Sequence, residues 1–175
     1  YTFVSSANAF VLRGANIIFA DSKGEHPNIS PDQVKKLITP KTKAIVVVHY
    51  AGFACEMDDI KNICDENNIF LIEDAAQAID SFYKGKPLGS FGDLATMSFH
   101  ETKNIISGEG GMLIINNEKF VKRSEVIWEK GTNRAAFFRG EVNKYGWSDL
   151  GSSFLPSELT SAFLYAQLME LKTIQ

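Results

Sequence analysis

The run Ala44-Ile45-Val46-Val47-Val48 constrains this chain more than any other segment. It is β-branched almost throughout and has no polar alternation. A strand with one wet face alternates apolar and polar residues, whereas an unbroken apolar run suits a parallel strand covered on both faces. Parallel strands need long crossover connections, usually helices. The flanking sequence supplies them. Residues 2–13 carry small and apolar groups at helical spacing and stop at Gly14, a C-cap residue. Asn16 to Ala20 reads as a buried strand. Ser30-Pro31-Asp32 opens a helix with a capping hydroxyl, proline at the first position and acid in the first turn, and the pattern runs through Val34 and Leu37 until Pro40.

Met57, Ile60, Ile63 and Cys64 form the apolar stripe of another helix. Strands are expected at Ile69–Ile72, Leu94–Phe99 and Met112–Ile115, the last two separated by a glycine turn. Phe120, Ser124, Ile127 and Trp128 mark a helical face. Residues 131–155 have no clear period and read as a long functional loop. A final helix from near Pro156 is expected to turn Leu159, Ala162, Phe163 and Ala166 inward. The alternation predicts an α/β domain on a mainly parallel sheet with helices on both faces.

Composition narrows the function classes. The chain has 175 residues, 45% of them hydrophobic, and a formal charge of −3, with no basic stripe to hold nucleic acid. Cys55 and Cys64 are the only cysteines and form no CxxC pair, which argues against structural zinc and suits a reducing cytoplasm. No apolar stretch approaches the roughly 20 residues that cross a bilayer. Tyr1 starts mid-pattern and a helical pattern still runs at Gln175, so the chain reads as cut at both ends.

Open parallel sheets bind ligands at the carboxyl ends of their strands. Two groups fall there. The strand Ile69–Ile72 ends in Glu73-Asp74-Ala75-Ala76-Gln77, and the strand Leu94–Phe99 leads to His100-Glu101-Thr102-Lys103. An amine that forms a Schiff base with an aldehyde, facing an acid that grips a pyridine nitrogen, is the minimum kit for pyridoxal-phosphate chemistry. Ser98 ends its strand where a hydroxyl can bond a phosphate, and Gln77 lies one turn beyond Asp74. Taken singly, each has a plain alternative: Asp74 as a helix N-cap, Ser98 as a satisfied strand-end hydroxyl, Gln77 as a solvated amide, Lys103 as a surface lysine. Ser107-Gly108-Glu109-Gly110-Gly111 lacks the Lys-Ser/Thr ending of a P-loop and leads into a strand, so it reads as a tight turn. His100 either assists proton transfer or bonds backbone, and both readings stand. His26 and His49 read as structural.

Ordered together, Glu73-Asp74-Ala75-Ala76-Gln77, Gly85, Leu88-Gly89, Gly92, Ser98-Phe99-His100, Lys103-Asn104 and Gly108-Glu109-Gly110-Gly111 resemble the DegT/DnrJ/EryC1/StrS sugar aminotransferases, as do the opening Thr2 to Ala9 and His49-Tyr50-Ala51-Gly52. The resemblance implies the large domain of fold-type-I enzymes with pyridoxal 5'-phosphate as cofactor. It implies that Lys103 carries the cofactor and shuttles protons, Asp74 pairs with the pyridine nitrogen, Gln77 contacts the phenolic oxygen, Ser98 binds phosphate and Phe3 stacks on the ring. Family members also lend an asparagine across a homodimer from a Gly-aromatic-Asn-aromatic-Arg phrase. Here Gly151-Ser152-Ser153-Phe154-Leu155 puts Ser153 at that position. The implied substrates are a nucleotide-linked ketosugar and L-glutamate. Relatives that act as sugar dehydratases have histidine where this chain has Lys103. A non-catalytic relative that keeps the sheet is a further alternative. The family's upstream phosphate-binding segment and small C-terminal domain would lie outside residues 1–175.

Overall fold

A computed structural model describes every residue except Glu25. Helix α1 (Val4–Val11) is followed by Gly14 at φ 79°, with the Gly14 amide on Val11 and the Ala15 amide on Phe10, the closing bonds of a glycine-terminated helix. The strand expected at Asn16–Ala20 does not form. No neighbouring strand pairs with it, and Ile18 and Phe19 are exposed. Instead β1 (Ser22–Lys23) and β2 (His26–Ile29) make a short antiparallel ribbon. Helix α2 (Pro31–Leu37) starts at Ser30 as expected, although the serine hydroxyl makes no capping bond.

Strand β3 (Ala44–Val48) leads through a tight turn at Tyr50–Gly52 to α3 (Met57–Asn67). That helix ends where Asn68 turns left-handed at φ 53°. Next come β4 (Phe70–Asp74), a small hairpin of β5 (Phe82–Tyr83) and β6 (Lys86–Pro87), then β7 (Leu94–Ser98) and β8 (Gly111–Ile115). The main sheet has the order β3-β4-β7-β8. β3–β4 and β4–β7 are parallel and β7–β8 is antiparallel, so the sheet is mainly parallel with one reversed edge.

Side chains alternate across β4. Leu71 and Glu73 are buried on the side of α2 and α3, in a core with Val34, Ile45, Val47, Met57, Ile60 and Ile63. Phe70, Ile72 and Asp74 lie on the other face and are half-buried. Pairing of Asp74 with Thr96 puts Thr96 and Ser98 on the Asp74 face.

The remaining helices are α4 (Val121–Trp128), α5 (Arg134–Phe138), α6 (Glu158–Met169) and α7 (Leu171–Ile174). Residues 131–155 are therefore not all loop. α5 sits inside them, and buried Glu129 takes hydrogen bonds from Arg134 and Lys130. Helix α6 corrects a third expectation. Leu159, Ala162, Phe163 and Ala166 are exposed, because no element among the described residues packs over that stripe. No helix among the described residues is long and apolar enough to cross a membrane.

Candidate active site

Asp74 is the last residue of β4, and its carboxylate is held at both oxygens. The Ala76 amide donates to Oδ1 at 3.1 Å, and the Ser6 hydroxyl of α1 donates to Oδ2. It is thus no helix N-cap. The first bond closes an Asx turn, and the second reaches across 68 residues. Phe3 lies one turn before Ser6, its carbonyl accepting the Ser6 amide, so α1 brings Phe3, a residue 71% exposed, to the same edge.

Gln77 follows in the turn after β4. Its Oε1 accepts the Ala51 amide at 2.6 Å, which leaves its NH2 group without a partner among the described residues. Ser98, at the end of β7, accepts the His100 amide at 3.3 Å through Oγ and keeps its hydroxyl proton to donate. Lys103 is half-buried in the hairpin between β7 and β8, and its amide donates to the His100 carbonyl at 2.9 Å. Its Nζ has no hydrogen bond or ion pair among the described residues.

Gln175, after α7, joins the two loops. It accepts from Asn104 at 2.9 Å and donates to the Ile79 carbonyl at 3.2 Å. Asp74, Gln77, Ser98, Lys103 and Phe3 therefore share one edge of the sheet. Ser153 stands apart. Its backbone bridges Glu129 beside α4, and it has no hydrogen bond to any of those five.

Two residues of the edge escaped the sequence reading. Ser6 could be found only from the docking of α1. Glu73 was legible only in part, because strand alternation must aim one of Glu73 and Asp74 inward without saying which. It is fully buried, and its carboxylate accepts from His49 Nε2 at 3.0 Å and from the amides of Gly89, Phe91 and Gly92 at 2.7–2.8 Å. Burial pushes this carboxyl upward, but those bonds outweigh it and hold it below the usual carboxylate range. His49 Nδ1 accepts the Cys55 amide at 3.2 Å, so the ring is the Nε2–H tautomer, and its own amide donates to the Asp74 carbonyl. One inward carboxylate thus ties the end of β3 and the turn before β7 to the strand that carries Asp74.

The geometry has counterparts. The DegT/DnrJ/EryC1/StrS aminotransferase family model matches residues 1–175. The chain belongs to that family. GDP-perosamine synthase of Vibrio cholerae is 36% identical over 99% of this chain and 46% of its own length. The dTDP-4-dehydro-2,3,6-trideoxy-D-glucose 4-aminotransferase of Saccharopolyspora spinosa is 33% identical over 97% of this chain and 46% of its own. An aminotransferase structure from Psychrobacter cryohalolentis superposes with a TM-score of 0.90 at 33% identity, over 98% of this chain and 45% of that one. The chain thus spans less than half the length of these relatives, and it has the large-domain fold of fold-type-I aminotransferases.

The family's aminotransferases use pyridoxal phosphate, and the donor set here fits that molecule. Were it bound, the anchored carboxylate of Asp74 could meet the ring nitrogen, the spare NH2 of Gln77 the phenolic oxygen, the spare hydroxyl proton of Ser98 the phosphate, the amine of Lys103 the aldehyde, and the exposed Phe3 the ring face.

Proposed function

We propose that residues 1–175 are the cofactor-binding core of a longer pyridoxal-phosphate aminotransferase acting on a nucleotide-linked 4-keto-6-deoxy sugar, with L-glutamate as amino donor. The observation that carries this reading is the convergence of an anchored Asp74 and an unpaired Lys103 at one carboxyl edge, their loops joined through Gln175.

When bound, pyridoxal phosphate supplies an electron-withdrawing ring and a carbon that carries the amino group from one substrate to the other. The chain does the rest. Asp74 fixes the ring nitrogen, with Ser6 and the Ala76 amide preventing the carboxylate from rotating away. Ser98 and Gln77 set the two ends of the ring, and Phe3 covers its face. Lys103 would hold the aldehyde carbon, and its amine would take a proton at Nζ and return it. Its long flexible stem permits both movements.

The finer reading is that the sugar is dTDP-4-dehydro-6-deoxy-D-glucose. The segments His100-Glu101-Thr102-Lys103-Asn104, Gly131-Thr132-Asn133-Arg134 and Phe137-Phe138-Arg139-Gly140 resemble the transaminase of enterobacterial common antigen synthesis. Such an enzyme works in the cytoplasm as a homodimer. Ser153, which has no hydrogen bond to the residues of the Lys103 edge, then serves the partner's phosphate site. The test is to incubate the full-length protein with L-glutamate and either this dTDP ketosugar or its GDP-linked counterpart. A 4-amino sugar from the dTDP compound supports the finer reading, turnover of the GDP compound alone reassigns the nucleotide, and a deoxygenated ketone without amine overturns transamination. Borohydride bleaching of a near-visible band in the wild type, absent from Lys103→Ala, tests the lysine assignment.

A further inference from the structure

The histidine three residues before Lys103 has two ring nitrogens, and the structure shows what each one does. His100 Nδ1 lies 3.2 Å from the Thr102 amide and 2.9 Å from the Thr102 hydroxyl. An amide can only donate, so Nδ1 is an acceptor and the neutral ring carries its proton on Nε2. Nε2 faces the Glu109 carboxylate at 3.4 Å, a long contact to a side chain that is 86% exposed. Pairs of that kind contribute little. The consequential bond is therefore the one from the Thr102 amide.

That bond repeats a pattern. Ser98 Oγ accepts the amide two residues on, at His100, and His100 Nδ1 accepts the amide two residues on, at Thr102. A side-chain acceptor taking the i+2 amide is the geometry of an Asx or Ser/Thr turn. Two such turns in series lead the chain off the end of β7, and the Lys103 amide then closes onto the His100 carbonyl at 2.9 Å. Ile105, fully buried, pins the far side of the same loop.

We infer that His100 is a positioning residue that acts through Lys103: its imidazole stands in for an asparagine side chain in the turn that presents the lysine amine, and it carries no proton in the reaction. This rests on the reading of Lys103 as the cofactor-bearing amine. The alternative role, proton transfer to the sugar, requires a titratable ring.

Asparagine separates the two, since its Oδ1 occupies about the place of Nδ1 and it cannot titrate. Wild-type, His100→Asn and His100→Leu forms of the full-length protein should be compared by hydrogen exchange of the peptide spanning residues 100–106. They should also be compared by single-turnover reaction of the cofactor-loaded protein with L-glutamate and with the ketosugar, across pH. Positioning predicts that His100→Asn keeps its rates within about three-fold and its pH profile unchanged. It predicts that His100→Leu speeds exchange by roughly ten-fold, the worth of one hydrogen bond, and slows both half-reactions by on the order of 10²-fold through misplacement of the amine. Equal collapse of the Asn and Leu variants, or loss in His100→Asn of a limb of the wild-type pH–rate profile, overturns the inference. So does a leucine variant as active as the wild type. Should His100→Leu fail to fold, the tautomer decides: nitrogen-15 spectra, assigned by comparison with His100→Asn, must show His100 protonated at Nε2. A wild type that forms no near-visible band with pyridoxal phosphate refutes the Lys103 reading instead, while exchange and tautomer still judge the turn.

Discussion

Replacing Glu73 by glutamine tests how the floor of the site is held. The side chain is fully buried, and its two oxygens divide four donors: Oε1 takes the Phe91 and Gly92 amides, Oε2 takes Gly89 N and His49 Nε2. Glutamine is nearly isosteric but acceptor at one end only. With its oxygen on Phe91 and Gly92, its NH2 group meets the Gly89 amide and the His49 Nε2–H, donor against donor. His49 cannot escape by switching tautomer, because Nδ1–H would then face the Cys55 amide. Two orphaned buried donors at about 1–3 kcal/mol each put the loss at about 2–6 kcal/mol, a span that includes the cost of breaking a buried pair from one side.

Urea unfolding of cofactor-free protein reads this as a lower midpoint with unchanged slope. The pH dependence follows from the direction of the shift. Glu73 has a lowered value when folded, so its contribution is present above the ordinary carboxylate value of about 4.3 and is lost as pH falls through the folded value. The difference between wild type and variant should therefore be largest near neutrality and shrink on acidification below about pH 4. A loss under about 1 kcal/mol, or a difference that grows with acid, would show that the four-donor arrangement does not hold this edge together.

Three further outcomes are expected. Burial pushes the Cys55 and Cys64 thiols up to about 12, so neither should react with a thiol reagent at pH 8 until the protein unfolds, and prompt labelling of the native protein would contradict their burial. A Cβ on Gly92 would stand 2.7 Å from the Leu71 carbonyl oxygen, backbone against backbone, so Gly92→Ala should cost roughly 1–3 kcal/mol in the same urea assay. Asp74→Asn keeps the chain folded but removes the charge offered to the ring nitrogen; single-turnover rates with L-glutamate should fall by on the order of 10²–10³, and an undiminished rate would dismiss Asp74 as the ring's partner.

Much of this molecule is local, and the local part could be read from residues alone. The apolar run at Ala44–Val48, the stripe of α3 and the punctuation by Gly14 and Pro31 act within a few residues, and each formed where expected. The place of Asp74, Ser98 and Lys103 at the sheet edge was legible for the same reason: polar groups at or soon after the end of an apolar strand must lie at the edge of the sheet, whichever sheet that is. Asn16–Ala20 and α6 failed because an apolar pattern says that a surface wants cover but not whether the chain supplies it.

Pairing across distance was decided only in three dimensions. Which of Glu73 and Asp74 faces inward depends on the register of β4 against β3, where Val47 sits beside Glu73 and Val48 beside Asp74. The hydroxyl on Asp74 comes from Ser6, and the tie between the loops after β4 and β7 comes from Gln175, each too far along the chain for any spacing rule to reach. Sequence set which side chains stand at strand ends, since that follows from short-range periodicity. Tertiary packing chose their hydrogen-bond partners, since a bond is made by groups that meet in space and not by neighbours in the chain.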